Sequence, residues 1–229
     1  MRQAVIDAFP GVSRSLEGFV QFPYLDVKGY VTTGVGCLID PCSLALRLPW
    51  QYEGSVQYLN EADIQLQWER VKAAVSLERA AVRAFEKLTQ MRLSVAAVDN
   101  LTVRRMAQDE AVLRMRWGTK EAPIPGFWDA LSADAQFGIL SMAWACGASF
   151  NFPKFEAALL IGDFARYEQD ADGNQVFAPG CCAAECLIST VGNPGVVPRN
   201  ALQQQLFVAA QRVADQELDP SVLHYQDAA

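Results

Sequence analysis

The sequence predicts an α+β protein that is predominantly α, folded as one domain in two lobes. Three observations predict it. Apolar residues recur at helical spacing over most of the 229 residues, one glycine-punctuated stretch near the N-terminus is rich in β-branched residues, and a chain 51% apolar and 20% charged can bury a sizeable core. The small α+β lobe is expected over about 12–60, the helical lobe over about 61–216, and a frayed tail over 217–229.

The first helix is expected through VSRSLEG, where Val12, Leu16 and Phe19 repeat at helical intervals and Gly18 supplies a left-handed stop. Glu17 then stands at a helix end. After Pro23 the pattern becomes DVKGYVTTGVGCLIDP, which reads as a short twisted hairpin or small sheet carrying Asp26 and Thr32. Asn60 reads as the N-cap of a helix with Glu61 and Asp63 in its first turn and Ile64, Trp68, Val71 and Val75 on one stripe. Neither Gly nor Pro occurs between Gly54 and Gly118, so that helix is expected to run to about Leu88. A further helix from Thr102 places Val103, Met106, Leu113 and Trp117 on a stripe that Glu110 interrupts.

Residues 118–126, GTKEAPIPG, read as a loop. Ser132 then caps a segment that is apolar almost all round as far as Gly147, as a buried central helix should be. Asn151 and Pro153 open a short helix ending at Gly162, and a long one follows Pro198 with Leu202, Leu206 and Val213 on a shared face.

Several function classes fall away on composition. A net charge of −7 and a pI near 4.8 argue against a nucleic-acid partner, which clustered Lys and Arg would have to bind. No uninterrupted apolar run approaches the roughly 20 residues of a membrane span, so membrane insertion is not expected. The N-terminus reaches Asp7 and Pro10 before any signal-type segment forms, so synthesis in a cytoplasm without a conventional export address is expected. Reduced thiols are expected at Cys37, Cys42, Cys146, Cys181, Cys182 and Cys186, although an oxidising destination leaves a Cys37–Cys42 bridge open.

No cofactor and no metal are expected. Cys181, Cys182 and Cys186 lack a second paired-Cys knuckle, and the single histidine, His224, stands in the expected tail. Asp170, Asp172 and Asn174 begin like a calcium loop, but Gln175 stands where that loop needs Gly and Cys181 where it needs Glu, so a surface turn is expected. A Ser or Cys protease would have only His224 as its imidazole base.

Two acids remain as the chemically suggestive pair. Cleaving a glycosidic bond takes a proton donor for the leaving oxygen and a second carboxylate that attacks the sugar or activates water. Glu17 and Asp26, separated by a short apolar and aromatic loop, can face one cleft if the chain doubles back.

LEGF followed by YLDVKGYVTTGVG resembles the active-site segment of the phage-type lysozymes, or endolysins. In that family a helix-terminal Glu is followed nine residues later by Asp and six later by Thr, with glycines in step, as are Glu17, Asp26 and Thr32 with Gly29, Gly34 and Gly36. More weakly, ALSADAQFGILSMAWACGASF resembles the family's buried central helix, FPKFEAALLIGDFARY the helix pair after it, and VVPRNALQQQLF its Arg-bearing late helix. Two departures stand out: Cys37 occupies a place where relatives often carry His or another polar residue, and roughly 100–126 looks like an insertion.

The resemblance implies a lysozyme-like fold and a muramidase that hydrolyses the β-1,4 bond between N-acetylmuramic acid and N-acetylglucosamine in peptidoglycan strands. Glu17 would be the general acid, its pKa raised by partial burial against Phe19 and Phe22, while Asp26 and the Thr32 hydroxyl would hold the attacking water. Such an enzyme would act in the periplasm or on the wall of a bacterium, either as a phage endolysin or as a delivered antibacterial toxin with a cognate immunity protein. The alternatives are a non-catalytic peptidoglycan-binding or structural module that keeps the fold, and a chitin- or chitosan-type glycosidase. Arg199 either lines the groove or pairs with a nearby acid. Because bacterial walls are anionic, an acidic hydrolase gains no long-range steering toward them.

Overall fold

The computed structural model describes residues 1–77, 81–118, 126–191 and 194–228. It is α+β and predominantly helical, with three small antiparallel sheets. The chain divides into two compact units, one made of Pro10–Arg105 and the other of Met1–Phe9 with Met106–Ala229. The unit that holds the hairpin thus extends well past residue 60, because the helix after Asn60 and the strand around Met91 share the hairpin's core.

Helix α1 spans Gln3–Glu17, starting well before Val12 and running through Pro10. An interior proline costs roughly 3 kcal/mol. Burial of Val5 and Phe9, the latter with its ring 5.3 Å from Phe137 and 5.2 Å from Trp144, offsets it. Gly18 ends the helix at φ +79°, its N–H donating to Arg14 O. Strands β1 (Val20–Leu25), β2 (Val31–Gly34) and β3 (Cys37–Leu38) follow as an antiparallel sheet in that order. Tyr24 faces Thr32, Leu25 faces Val31, and Thr33 faces Cys37.

After a short α2 (Cys42–Ala45) and β4 (Gln51–Tyr52) comes α3 (Glu61–Lys72), capped as expected by the Asn60 side chain, which accepts from Asp63 N. It buries Ile64, Trp68 and Val71. Helix α3 does not continue to Leu88, and Val75 is exposed. Lys72 is held by Gly29 O and Asp40, and the chain returns through α4 (Arg83–Glu86) so that Phe85 enters the same core. Strand β5 (Met91–Arg92) pairs with β4, and buried Gln67 accepts from the Thr89 hydroxyl and Gln90 N, fastening that return to α3. The first part of α5 (Val95–Gly118) completes the unit, with Val98 against Gly34.

In the other unit α5 buries Met106, Leu113 and Trp117. Glu110, which interrupts that stripe, accepts from the chain's amino terminus, from Trp128 Nε1 and from Arg114. The expected 118–126 loop falls largely outside the described residues, as does the end of the expected insertion, whose earlier part is α5 itself. Helix α6 (Phe127–Ala130) leads into α7 (Ala133–Cys146), the expected central helix, buried from Ala133 to Trp144 and capped by Ser132. Helix α8 (Pro153–Ile161) ends on Gly162 at φ +74°. A hairpin of β6 (Tyr167–Gln169) and β7 (Gln175–Phe177), a short α9 (Cys182–Glu185) and the long α10 (Val197–Gln216) follow.

The expected frayed tail is instead docked as far as it is described. Asp134 accepts from His224 N and Tyr225 N, Arg212 donates to His224 O, and the Tyr225 ring meets Phe137 edge-on. Burial raises the Asp134 pKa, partly opposed by those N–H donors. Among the described residues, no helix is long and apolar enough to cross a membrane.

Candidate active site

Glu17, Asp26 and Thr32 all lie in the Pro10–Arg105 unit. Glu17 is the last residue of α1, and the left-handed turn at Gly18 sends the chain directly into β1. Its Oε2 lies 3.9 Å from where a Cβ would stand on Gly36, so the missing side chain at Gly36 leaves room for the carboxylate beside the β2–β3 turn. Arg105 reaches the same turn, donating from Nη1 to Gly36 O at 3.2 Å.

The partial burial expected for Glu17 against Phe19 and Phe22 is not made, for Glu17 is exposed. Cations occupy the ring faces meant to cover it. The Arg14 guanidinium lies 4.7 Å from the Phe19 centroid and that of Arg92 5.2 Å from the Phe22 centroid.

Asp26 ends the β1 side of the β1–β2 turn. Its Oδ1 accepts from Lys28 N at 2.8 Å and Tyr30 N at 2.9 Å, while its own N–H donates to Tyr30 O. These bonds hold the carboxylate in one orientation through Oδ1 alone. Thr32 is only 4% exposed, and its hydroxyl makes a long 3.3 Å bond to Tyr30 O. Neighbouring Thr33 points the other way, its hydroxyl reaching Val20 O and Phe22 O.

Tyr24 is the residue that sequence reasoning missed. It pairs directly with Thr32, so the two side chains share a sheet face, and Asp26 two residues on belongs to that face as well. Burial pushes the Tyr24 phenol up to about 12, and negative charge at Glu17, Cys37 and Asp26 adds to the shift. One phenol thus feels both acids. Period-two spacing between Tyr24 and Asp26 was the available signal; nothing in the sequence pointed to Arg105, 69 residues from Gly36.

The remaining candidates resolve differently. Cys37 is buried in β3, and all six cysteines are thiols. Arg199 does not open to solvent: it is buried and donates to Ser141 O and Oγ. The 170–174 segment is the turn between β6 and β7, where Asp170 Oδ1 accepts from Asp172 N and Asn174 N, and these bonds lower the Asp170 pKa. Among the described residues, no three His, Cys, Asp or Glu side chains are grouped to hold a metal ion.

Beside the helix end, the same unit has an open pocket of about 460 Å³ whose lining includes Phe19, Gln21, Val82, Arg83, Glu86 and Arg92. Charge is divided unevenly. Residues 10–105 carry eleven Lys and Arg against ten Asp and Glu, whereas the rest of the chain carries eight against sixteen. No family model, curated protein sequence or solved structure matches the chain.

Proposed function

We propose that the protein is a lysozyme-like muramidase, with Glu17 as general acid and Asp26 with Thr32 as the water-holding pair. The observation that carries the reading is that all three residues lie on or beside one small sheet, β1–β2–β3. Glu17 approaches the β2–β3 turn at Gly36, while Asp26 in the β1–β2 turn and Thr32 on β2 share a face with Tyr24. The Glu–Asp–Thr spacing and its resemblance to the phage-type lysozymes supply the reaction class.

In this reading Glu17 gives its proton to the glycosidic oxygen as the C1–O bond breaks. A water on the other face of the sugar attacks C1 and loses its proton to Asp26. Oδ1 of Asp26 stays on the turn, leaving Oδ2 for the water, with the Thr32 oxygen as a second contact. Residues 10–105 are themselves near neutral and add no repulsion of their own to that of the net −7 chain toward an anionic wall. Action on a bacterial wall follows, with phage lysis or delivery as a toxin countered by an immunity protein as its settings.

A non-catalytic wall-binding module is the second reading, favoured by the engagement of Asp26 Oδ1 in the turn and the exposure of Glu17. Digestion of purified peptidoglycan with mass spectrometry of the products separates them. Muropeptides with reducing muramic ends are expected, and Glu17→Gln should lower their release by about 10²–10⁴-fold, the usual worth of a general acid. Reducing glucosamine ends or anhydro ends would overturn the muramidase assignment, and binding without any product would favour the module.

A further inference from the structure

We infer that the pocket between the start of β1 and α4 is a binding site for the carboxylate-bearing peptide stem of peptidoglycan. The inference rests on the wall-directed reading above.

The pocket begins two residues beyond Glu17, at Phe19, and is closed on the other side by Arg83 and Glu86 of α4 and by Arg92 of β5. Its two arginines are not equivalent. Arg92 is spent within the fold: it donates to Thr89 O and Met91 O, pairs with Glu53 at 2.7 Å and lies over Phe22. Arg83 is exposed and has no hydrogen bond or ion pair among the described residues. Its guanidinium therefore offers a full fork of donors to an incoming carboxylate.

The other walls suit the rest of a short acylated peptide. Gln21 uses its Nε2 on Leu93 O, which turns its amide oxygen into the available acceptor for peptide N–H groups, while the Glu86 carboxylate lies 3.8 Å from Arg92. Phe19 and Val82 provide apolar surface for an alanyl methyl group. Together these select a ligand that is anionic, rich in amide N–H and partly apolar. A neutral sugar chain can take hydrogen bonds from Arg83 but gains no ion pair with it.

The test uses the full chain and N-acetylmuramoyl dipeptide as probe, with chitotetraose as a neutral control, both followed by calorimetry and amide chemical shifts. Wild type and Glu17→Gln should bind the dipeptide alike, with shifts at Phe19, Gln21 and Arg83. Arg83→Ala should bind it about threefold to fivefold more weakly, the worth of one exposed ion pair, and Arg83→Glu more weakly still. Chitotetraose affinity should not change. As an independent block, Val82→Glu should also weaken dipeptide binding, by setting a like charge beside the incoming carboxylate.

Wild-type affinity in Arg83→Glu, or equal losses for dipeptide and chitotetraose, would overturn the inference. If the wild type releases no muropeptide yet Arg83-dependent binding is seen, the hydrolase reading fails and the site stands. Muropeptide release with no effect of Arg83 on dipeptide binding has the reverse meaning.

Discussion

At the scale of single residues, the most informative side chain is Tyr24. Its cross-strand partner is Thr32, its same-face neighbour is Asp26, and its phenol is disfavoured as an anion by burial, Glu17, Cys37 and Asp26 in that order. A raised acid pKa means that the folded state favours the neutral phenol. The stability it contributes is therefore complete below the ordinary tyrosine value and is lost as pH rises from there through about 12. Absorbance titration of wild type against Tyr24→Phe should reveal one phenol ionising near 12, and Glu17→Gln should move it downward. An unmoved titration would mean that Glu17 does not face Tyr24. Thr32 and Asp26 were legible in the sequence as strand and turn residues, but the committed Oδ1 of Asp26 was not, because the turn's hydrogen bonds depend on how Lys28 and Tyr30 present their N–H groups.

Among elements, α3 shows how local signals and packing divide the work. Asn60, Glu61 and Asp63 mark its start in sequence, and the observed cap is the Asn60 side chain accepting from Asp63 N at 2.9 Å. Asn60→Ala should cost about 1 kcal/mol, within the usual range for losing a cap, measured as a fall in the denaturant midpoint of the cooperative transition. No change would mean that Asp63 N finds another partner. The helix's end had no comparable signal. A stretch free of Gly and Pro permits a helix without compelling one, and the core gains more from turning the chain so that Phe85 and Met91 are buried beside Trp68. Helix α1 teaches the converse, because Pro10 reads as a barrier yet sits inside it while Val5 and Phe9 are buried.

At the scale of the whole molecule, each unit has its own core and its own charge. In the unit built on α7, Gly138 allows the Phe207 ring of α10 to sit where a Cβ would come within 2.8 Å of Cζ. Gly138→Ala should therefore destabilise by about 1–3 kcal/mol through overpacking, despite its better helix propensity. Thermal or denaturant unfolding checks this, and a stabilised variant would show that Phe207 can move aside. The acidic balance belongs to this unit, with eight basic residues against sixteen acidic ones, while the unit bearing Glu17 is near neutral. Whole-chain charge concealed that division.

What the sequence determined by itself was set by short-range physics. The class of the fold, the stop at Gly18, the caps at Asn60 and Ser132 and the buried helix to Gly147 follow from spacing, propensity and turn chemistry within about twenty residues, whereas the candidate trio of Glu17, Asp26 and Thr32 rests on a resemblance to a known family. Tertiary structure decided the rest: the exposure of Glu17, the approach of Glu17 and Arg105 to Gly36, the early end of α3, the burial of Arg199 and the docked tail. Each depends on a partner distant in the chain or on which surface wins the competition for burial. A local pattern carries no information about either.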